Sequence, residues 1–340
     1  MFDFSSLISR LSSLVSRLSS LVSRLKMRRI TLLTNPDKCN LHCPLCFLNQ
    51  RAGCGRKFGM GEMPFEIARA AIEKYAAERD ASGKRLLQEV IPSTMGEPLL
   101  YSHFDELLEL CRTLEIPLNL TTNGTFPGKW GRRDGMELLL QSCSDIKLSY
   151  LASEQFDGWK ANVEKLLKVR NCLRANDASA VDDSAKCTSA ETEIAEKSGG
   201  NCETVGVNGA NVKKIATISL QVTLHKKNLH EVPELVEWAT LIGIDRIKWN
   251  KVVLLKCLAR ELRESYELSD SDNASLRSQL NLSNACYEGS LFFDDSRKGD
   301  CAMGGKCGVS CPFADEIWIL PNGNIDYCPN PEHRFGNYVI

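Results

Sequence analysis

The sequence has no run approaching the roughly 18 apolar residues of a membrane-spanning helix, so a transmembrane protein is not expected. It has almost no net charge. Its 42 basic and 43 acidic side chains leave a formal −1, and no nucleic-acid partner is expected from so balanced a surface. Its start, MFDFSSLISR, lacks the basic-then-apolar order of a secretory signal, which points to a cytoplasmic protein. The five histidines show no metal-type spacing, and no serine–histidine–acid arrangement is visible. Zinc or serine hydrolysis is therefore not the chemistry to look for.

Cysteine is what the chain has in plenty. There are 15 among 340 residues. The number is odd, so they cannot all pair within the chain, and nothing points to an oxidising compartment. Clustered cysteines in a chain this large argue for metal binding. Cys111, Cys143 and Cys257 stand apart from the clusters and read as buried thiols acting as small hydrophobes.

Residues 5–25 are three near-identical heptads, SSLISRL, SSLVSRL and SSLVSRL, with no acid among them. Leu7, Leu11, Leu14, Leu18, Leu21 and Leu25 form a coiled-coil seam widened by Ile8, Val15 and Val22. An amphipathic helix over 1–28 could self-associate or lie on a membrane surface. A weakly constrained duplicated extension is the alternative.

From residue 29 strands and helices alternate. The β-like runs are RITLLT (29–34), LLQEVIPS (86–93), IPLNLTTNG (116–124), DIKLSYL (145–151), ATISLQVTL (216–224) and DRIKWNKVVL (245–254). Helical periodicity falls at 63–79, 102–114 (with Ser102 as cap), 135–143, 159–173 and 232–243. This βα rhythm predicts an α/β fold, a full or partial (β/α) barrel over 29–256 with functional loops at the C-terminal strand ends. Residues 174–214, without an aromatic, read as a flexible insertion, so Cys187 and Cys202 are not expected to be ligands. Residues 257–340 form a small cysteine-rich extension.

The loop after the first strand reads KCNLHCPLCF, with Cys39, Cys43 and Cys46 close together. Closed cysteine sites use four ligands, whereas a reactive centre keeps one position open. Three thiolates can hold a four-iron cluster and leave one iron for a substrate or cofactor. A zinc knuckle completed by Cys54 is the other reading.

Cys39-x3-Cys43-x2-Cys46 directly after a first strand resembles the radical SAM superfamily, with Pro44 and Phe47 in keeping and Leu45 where an aromatic is often found. MGEPLL (95–100) resembles the motif that receives the amino group of S-adenosylmethionine, which the resemblance assigns to Gly96 and Glu97. LTTNGT (120–125) resembles the family's next strand-end turn, which implies Asn123 and Gly124 near the cofactor, and DIKLSY (145–150) resembles a following strand whose cofactor-contacting serine matches Ser149. The resemblance implies a partial barrel, a [4Fe–4S] cluster, S-adenosylmethionine cleaved to a 5′-deoxyadenosyl radical, and a flavodoxin- or ferredoxin-type reductant. It implies substrate hydrogen abstraction, with a peptide or protein side chain as the expected target. Small-molecule cofactor biosynthesis and a non-catalytic zinc-binding adaptor are the alternatives.

In the tail, Cys301, Cys307, Cys311 and Cys328 flank a strand, EIWIL, and a turn, PNGN, that suggests a hairpin. The spacing from Cys311 to Cys328, followed by FGN, resembles the first half of a SPASM or Twitch extension. That implies an auxiliary iron–sulfur cluster, in a Twitch-like domain or in a truncated SPASM domain. A zinc ribbon is the alternative, with Cys286 as a reserve ligand.

Overall fold

The computed structural model describes residues 29–46, 48–50, 59–92, 95–151, 158–179, 215–255, 257–282 and 316–326. The heptads of 5–25, Phe47, residues 180–214 and the tail cysteines Cys301, Cys307, Cys311 and Cys328 lie outside them.

Strands and helices alternate as the periodicities predict. The order is β1 (Arg29–Leu32), α1 (Phe65–Ala77), β2 (Glu89–Pro92), α2 (Phe104–Thr113), β3 (Leu118–Thr122), α3 (Arg133–Ser142), β4 (Cys143–Tyr150) and α4 (Trp159–Ser179). Then come β5 (Thr217–Leu224), α5 (Val232–Leu241), β6 (Arg246–Lys251), α6 (Arg260–Tyr266), α7 (Asp270–Leu282), β7 (Glu316–Ile319) and β8 (Ile325–Asp326). These strands form one sheet in the order β6-β5-β4-β3-β2-β1-β7-β8. Every neighbouring pair is parallel except the β7–β8 hairpin. The sheet does not close, so the fold is a partial (β/α) barrel.

Alternation along each strand gives the sheet two faces. Ile30, Val90, Leu118, Leu120, Ile146, Leu148, Ile218, Leu220 and Ile247 are buried in one core with the helices. Helix α2 shows how the sequence builds that layer. Phe104, Leu107, Leu108 and Cys111 recur at helical spacing and are all buried, each large side chain contributing about 1.5–3 kcal/mol.

The opposite, concave face is polar. In its N-terminal half Glu316 accepts from Thr31 Oγ1 at 2.6 Å and pairs with Arg29 at 3.9 Å. Glu89 accepts from Asn119 and Ser144, each at 3.0 Å, and pairs with Arg29 at 3.7 Å. Asp145 accepts from Ser219 Oγ at 2.7 Å and faces Arg246 at 3.6 Å and Lys147 at 3.9 Å. Burial holds the ammoniums of Lys147 and Lys248 below the usual lysine range.

Several expectations need correction. Helix α4 runs on to Ser179, past the expected start of the insertion at 174. Arg170 and Arg174 both reach Asp245, at 2.6 and 3.4 Å, and tie this last stretch to the corner before β6. Ser102 does not cap α2, whose N-cap residue is His103. The Ser102 N–H is instead accepted by Glu62 Oε1 at 2.5 Å. Residues 257–282 hold two helices where no rhythm was expected, and Cys257, expected as a free thiol, is disulfide-bonded. The hairpin around PNGN is present, and its first strand adds to the main sheet beside β1. Cys111 and Cys143 are buried free thiols, as read, although Cys143 opens a strand rather than lying in a helix. Among the described residues, no helix is long and apolar enough to cross a membrane.

Candidate cofactor site

The C-terminal strand ends bring the three-cysteine loop against three other segments. Cys46 N donates to Cys43 O at 3.0 Å, a tight turn that draws the second and third cysteines together. One helical turn follows, begun by Gln50 N donating to Cys46 O at 2.9 Å. Cys39, Cys43 and Cys46 are free and partly exposed, and all three line one cavity of about 280 Å3. Leu45, Met95, Gly96, Glu97, Asn123, Ser149 and Thr223 share that lining, with Lys251 at the end of β6 and Val253 after it.

Burial, reinforced by the neighbouring Cys46 and Cys39 sulfurs, pushes the Cys43 thiol up to about 11. Burial also raises Cys46. Thiols that resist ionising together are stabilised as thiolates by a bound cation, so the donor set fits a thiophilic metal centre. All three cysteines border open space, and three thiols with no fourth in the lining suit a centre with one position left open.

The loop is fixed by side chains whose roles the sequence did not announce. Asn35 Nδ2 donates to Glu97 O at 2.6 Å, and Glu97 N donates to Lys38 O at 2.9 Å. Gln50, 2% exposed, donates to Leu45 O at 2.7 Å and Val253 O at 3.0 Å, and accepts from Leu255 N at 2.9 Å. One amide thus joins the cysteine loop to the rim after β6. A side-chain amide in a loop just after a strand is the available sequence signal, and a weak one.

Gly96 is required, but by the protein's own backbone. It adopts φ +73°, and an added Cβ would lie 2.1 Å from Asn35 O and 2.7 Å from Lys38 O. Glu97, which the resemblance assigns to the cofactor's amino group, lines the cavity and also has partners within the protein. Its Oε1 accepts from Thr122 Oγ1 at 2.7 Å and Leu99 N at 3.2 Å, and its Oε2 accepts from Asn123 N at 2.8 Å. The carboxyl therefore staples the end of β2 to the end of β3. Burial raises it to about 7 against these donors.

Asn123 follows β3, its backbone N–H fixed by Glu97 and its side chain turned to the cysteine loop. Its Nδ2 lies 2.9 Å from Asn40 Oδ1 and 3.6 Å from Cys39 Sγ. Ser149 lies on the concave face of β4 and lines the cavity, while the next residue, Tyr150, turns away to donate to Glu231 at 2.8 Å. The structure thus gathers Cys39, Cys43, Cys46, Gly96, Glu97, Asn123 and Ser149 at one cavity.

No protein-family model matches the chain, and no curated protein matches it significantly. Solved structures do. SuiB of Streptococcus suis bound to precursor peptide SuiA is similar over 100% of this chain and 67% of its own, with a TM-score of 0.52 and 15% identity. A histidine-tagged anSMEcpe with bound AdoMet is similar over 92% of this chain and 73% of its own, with a TM-score of 0.54 and 13% identity. Native anSMEcpe with bound AdoMet and Cp18Cys peptide gives a TM-score of 0.50 at 14% identity, over 88% and 74%.

The chain shares the fold of these structures, an open, partial (β/α) barrel. At these identities the likeness is one of architecture. Cys39, Cys43 and Cys46 follow β1 in the chain, the placement on which the sequence resemblance rests.

Proposed function

We propose that the chain is a radical SAM enzyme that modifies a peptide or protein side chain. One observation carries this reading. Three free cysteines line one cavity with Gly96, Asn123 and Ser149 at the C-terminal ends of parallel strands. Cys39, Cys43 and Cys46 would hold a [4Fe–4S] cluster, and Gly96, Asn123 and Ser149 would border S-adenosylmethionine. Phe47 would shield the cluster. When bound, these cofactors supply a 5′-deoxyadenosyl radical that removes a substrate hydrogen.

The chain's own residues do the rest. Three thiolates bind, and Leu45, 9% exposed, keeps an apolar wall over the loop against water. The Asn35, Gln50 and Glu97 bonds fix the loop before any ligand arrives, as preorganisation requires. Because Cys43 and Cys46 start as protonated thiols whose ionisation is held up, loading would release protons, and affinity for iron would rise with pH.

The peptide substrate is supported by the neighbours, since SuiB and anSMEcpe were both solved with peptides. The concave face also continues past the cavity toward β6 with Gln221, Lys248 and Asn250, polar groups suited to an extended chain. A flavodoxin- or ferredoxin-type reductant would deliver the electron. Cys301, Cys307, Cys311 and Cys328 would hold an auxiliary iron–sulfur cluster in a C-terminal extension.

Anaerobic reconstitution tests the reading. Full-length protein given dithionite and S-adenosylmethionine is expected to form 5′-deoxyadenosine, and Cys46→Ala to form none. Zinc without acid-labile sulfide in the native protein would leave a zinc-binding adaptor and sink the enzyme.

A further inference from the structure

We propose that Asn123 is a redox-tuning residue: its side-chain amide donates to the Cys39 sulfur and raises the reduction potential of the centre held there. The inference rests on the reading of Cys39 as a cluster ligand and assigns Asn123 a role toward the thiolate.

The geometry fixes which end of the amide faces the sulfur. Asn123 Oδ1 lies 2.9 Å from Thr125 N, and a backbone N–H can only donate. The oxygen must therefore point at Thr125, whose hydroxyl also donates to it at 2.7 Å. That leaves Nδ2 turned to the loop. One of its protons goes to Asn40 Oδ1 at 2.9 Å, and the other faces Cys39 Sγ at 3.6 Å. Asn40 Nδ2 closes the ring by donating to Thr125 Oγ1 at 2.9 Å. The side chains of Cys39, Asn40 and Thr125, with the Thr125 backbone N–H, thus hold the amide in a single orientation.

A second donor reaches the same sulfur, Leu41 N at 3.4 Å. Hydrogen bonds to cluster sulfurs are among the factors that set iron–sulfur potentials. An added electron spreads partly onto the thiolates, so an N–H aimed at one stabilises the reduced state more than the oxidised state. Asn123 is 9% exposed, and away from water the interaction is stronger. Backbone N–H groups of Leu48 and Asn49 serve Cys46 in the same way, but no side-chain substitution removes them. Asn123 is the donor that mutagenesis can reach.

The test is an EPR-monitored redox titration of reconstituted full-length protein without S-adenosylmethionine, so that contacts to that cofactor do not enter. Asn123→Ala is expected to shift the midpoint to more negative potential with iron and sulfide per chain unchanged. Thr125→Val keeps the amide but removes one of its anchors, and is expected to give a smaller shift of the same sign. A merely structural role would lower the loaded fraction and leave the midpoint of the remainder at the wild-type value. That result overturns the proposal. Should Asn123→Ala fail to load, an unshifted Thr125→Val midpoint overturns it equally. Wild-type protein that holds no four-iron cluster would instead bring down the proposed function, a failure visible before any variant is made.

Discussion

The two halves of the concave face lie a few residues apart on the same strands, yet they treat their polar groups differently. In the N-terminal half, Glu89, Asp145 and Glu316 are met by Arg29, Lys147 and Arg246 within the face itself. At the C-terminal rim the one buried carboxyl, Glu97, is satisfied by neutral donors, and three neighbouring thiols remain free. A region that satisfies its own charges stabilises the barrel. A region that fixes its backbone with care and leaves its best ligands free is arranged to bind something.

The contrast can be broken from the rim first. Gly96→Ala is expected to cost about 4 kcal/mol, because its Cβ meets backbone on both sides and φ is positive. The urea midpoint should fall steeply, and iron loading should fall with it, since Asn35–Lys38 leads directly into Cys39. Glu97→Ala strands three buried donors, with an expected loss of about 3 kcal/mol.

Glu97 should also leave a mark on pH dependence. Its carboxyl rises from 4.5 unfolded to about 7 folded, so the folded chain binds more protons between those values. Stability should therefore fall as pH rises from about 4.5 to about 7 and then level off. Chemical denaturation at pH 5 and 7.5 reads this difference, and Glu97→Ala should flatten it.

Asp145→Asn sharpens the comparison from the other side. It weakens the pairing to Lys147 and Arg246 but keeps an acceptor for Ser219. An expected loss of about 1–2 kcal/mol, with iron content and 5′-deoxyadenosine formation unchanged, would separate the stabilising half from the binding half. The smallest effect belongs outside both. Arg260→Ala removes an exposed i,i+4 pair with Glu264 and should cost about 0.3–0.5 kcal/mol.

Much of the barrel was legible because strands β1 to β6 carry buried apolar positions and helices α1 to α5 a repeating buried stripe. The cysteine loop was legible because thiolate spacing carries chemistry. What stayed hidden was relational. Gly96 was picked out for a ligand, whereas Asn35 O and Lys38 O are what demand it. Glu97 was picked out for a ligand, and its bonds to Thr122 and Asn123, 25 and 26 residues further on, could not be read locally. Gln50 gave only a weak signal, since two of its three partners lie after β6. The strand in EIWIL was visible, but local pattern cannot tell which strand a parallel neighbour will choose, and it chose β1.

That last pairing has a consequence for how the molecule is made. Thr31 and Glu316, which bond across β1 and β7, are 285 residues apart in the chain. At roughly 5–20 residues per second of synthesis, β1 waits some 15–60 s, by this rough estimate, before its neighbour exists. Until then the strand that leads into the cysteine loop has one open edge. Docking of β7 also completes the cluster of Leu33, Met95, Trp318 and Leu320 beneath the rim. The site's foundation is therefore finished only once β7 has been made and docked, so a ligand of the cysteine loop would meet a settled rim only after that step.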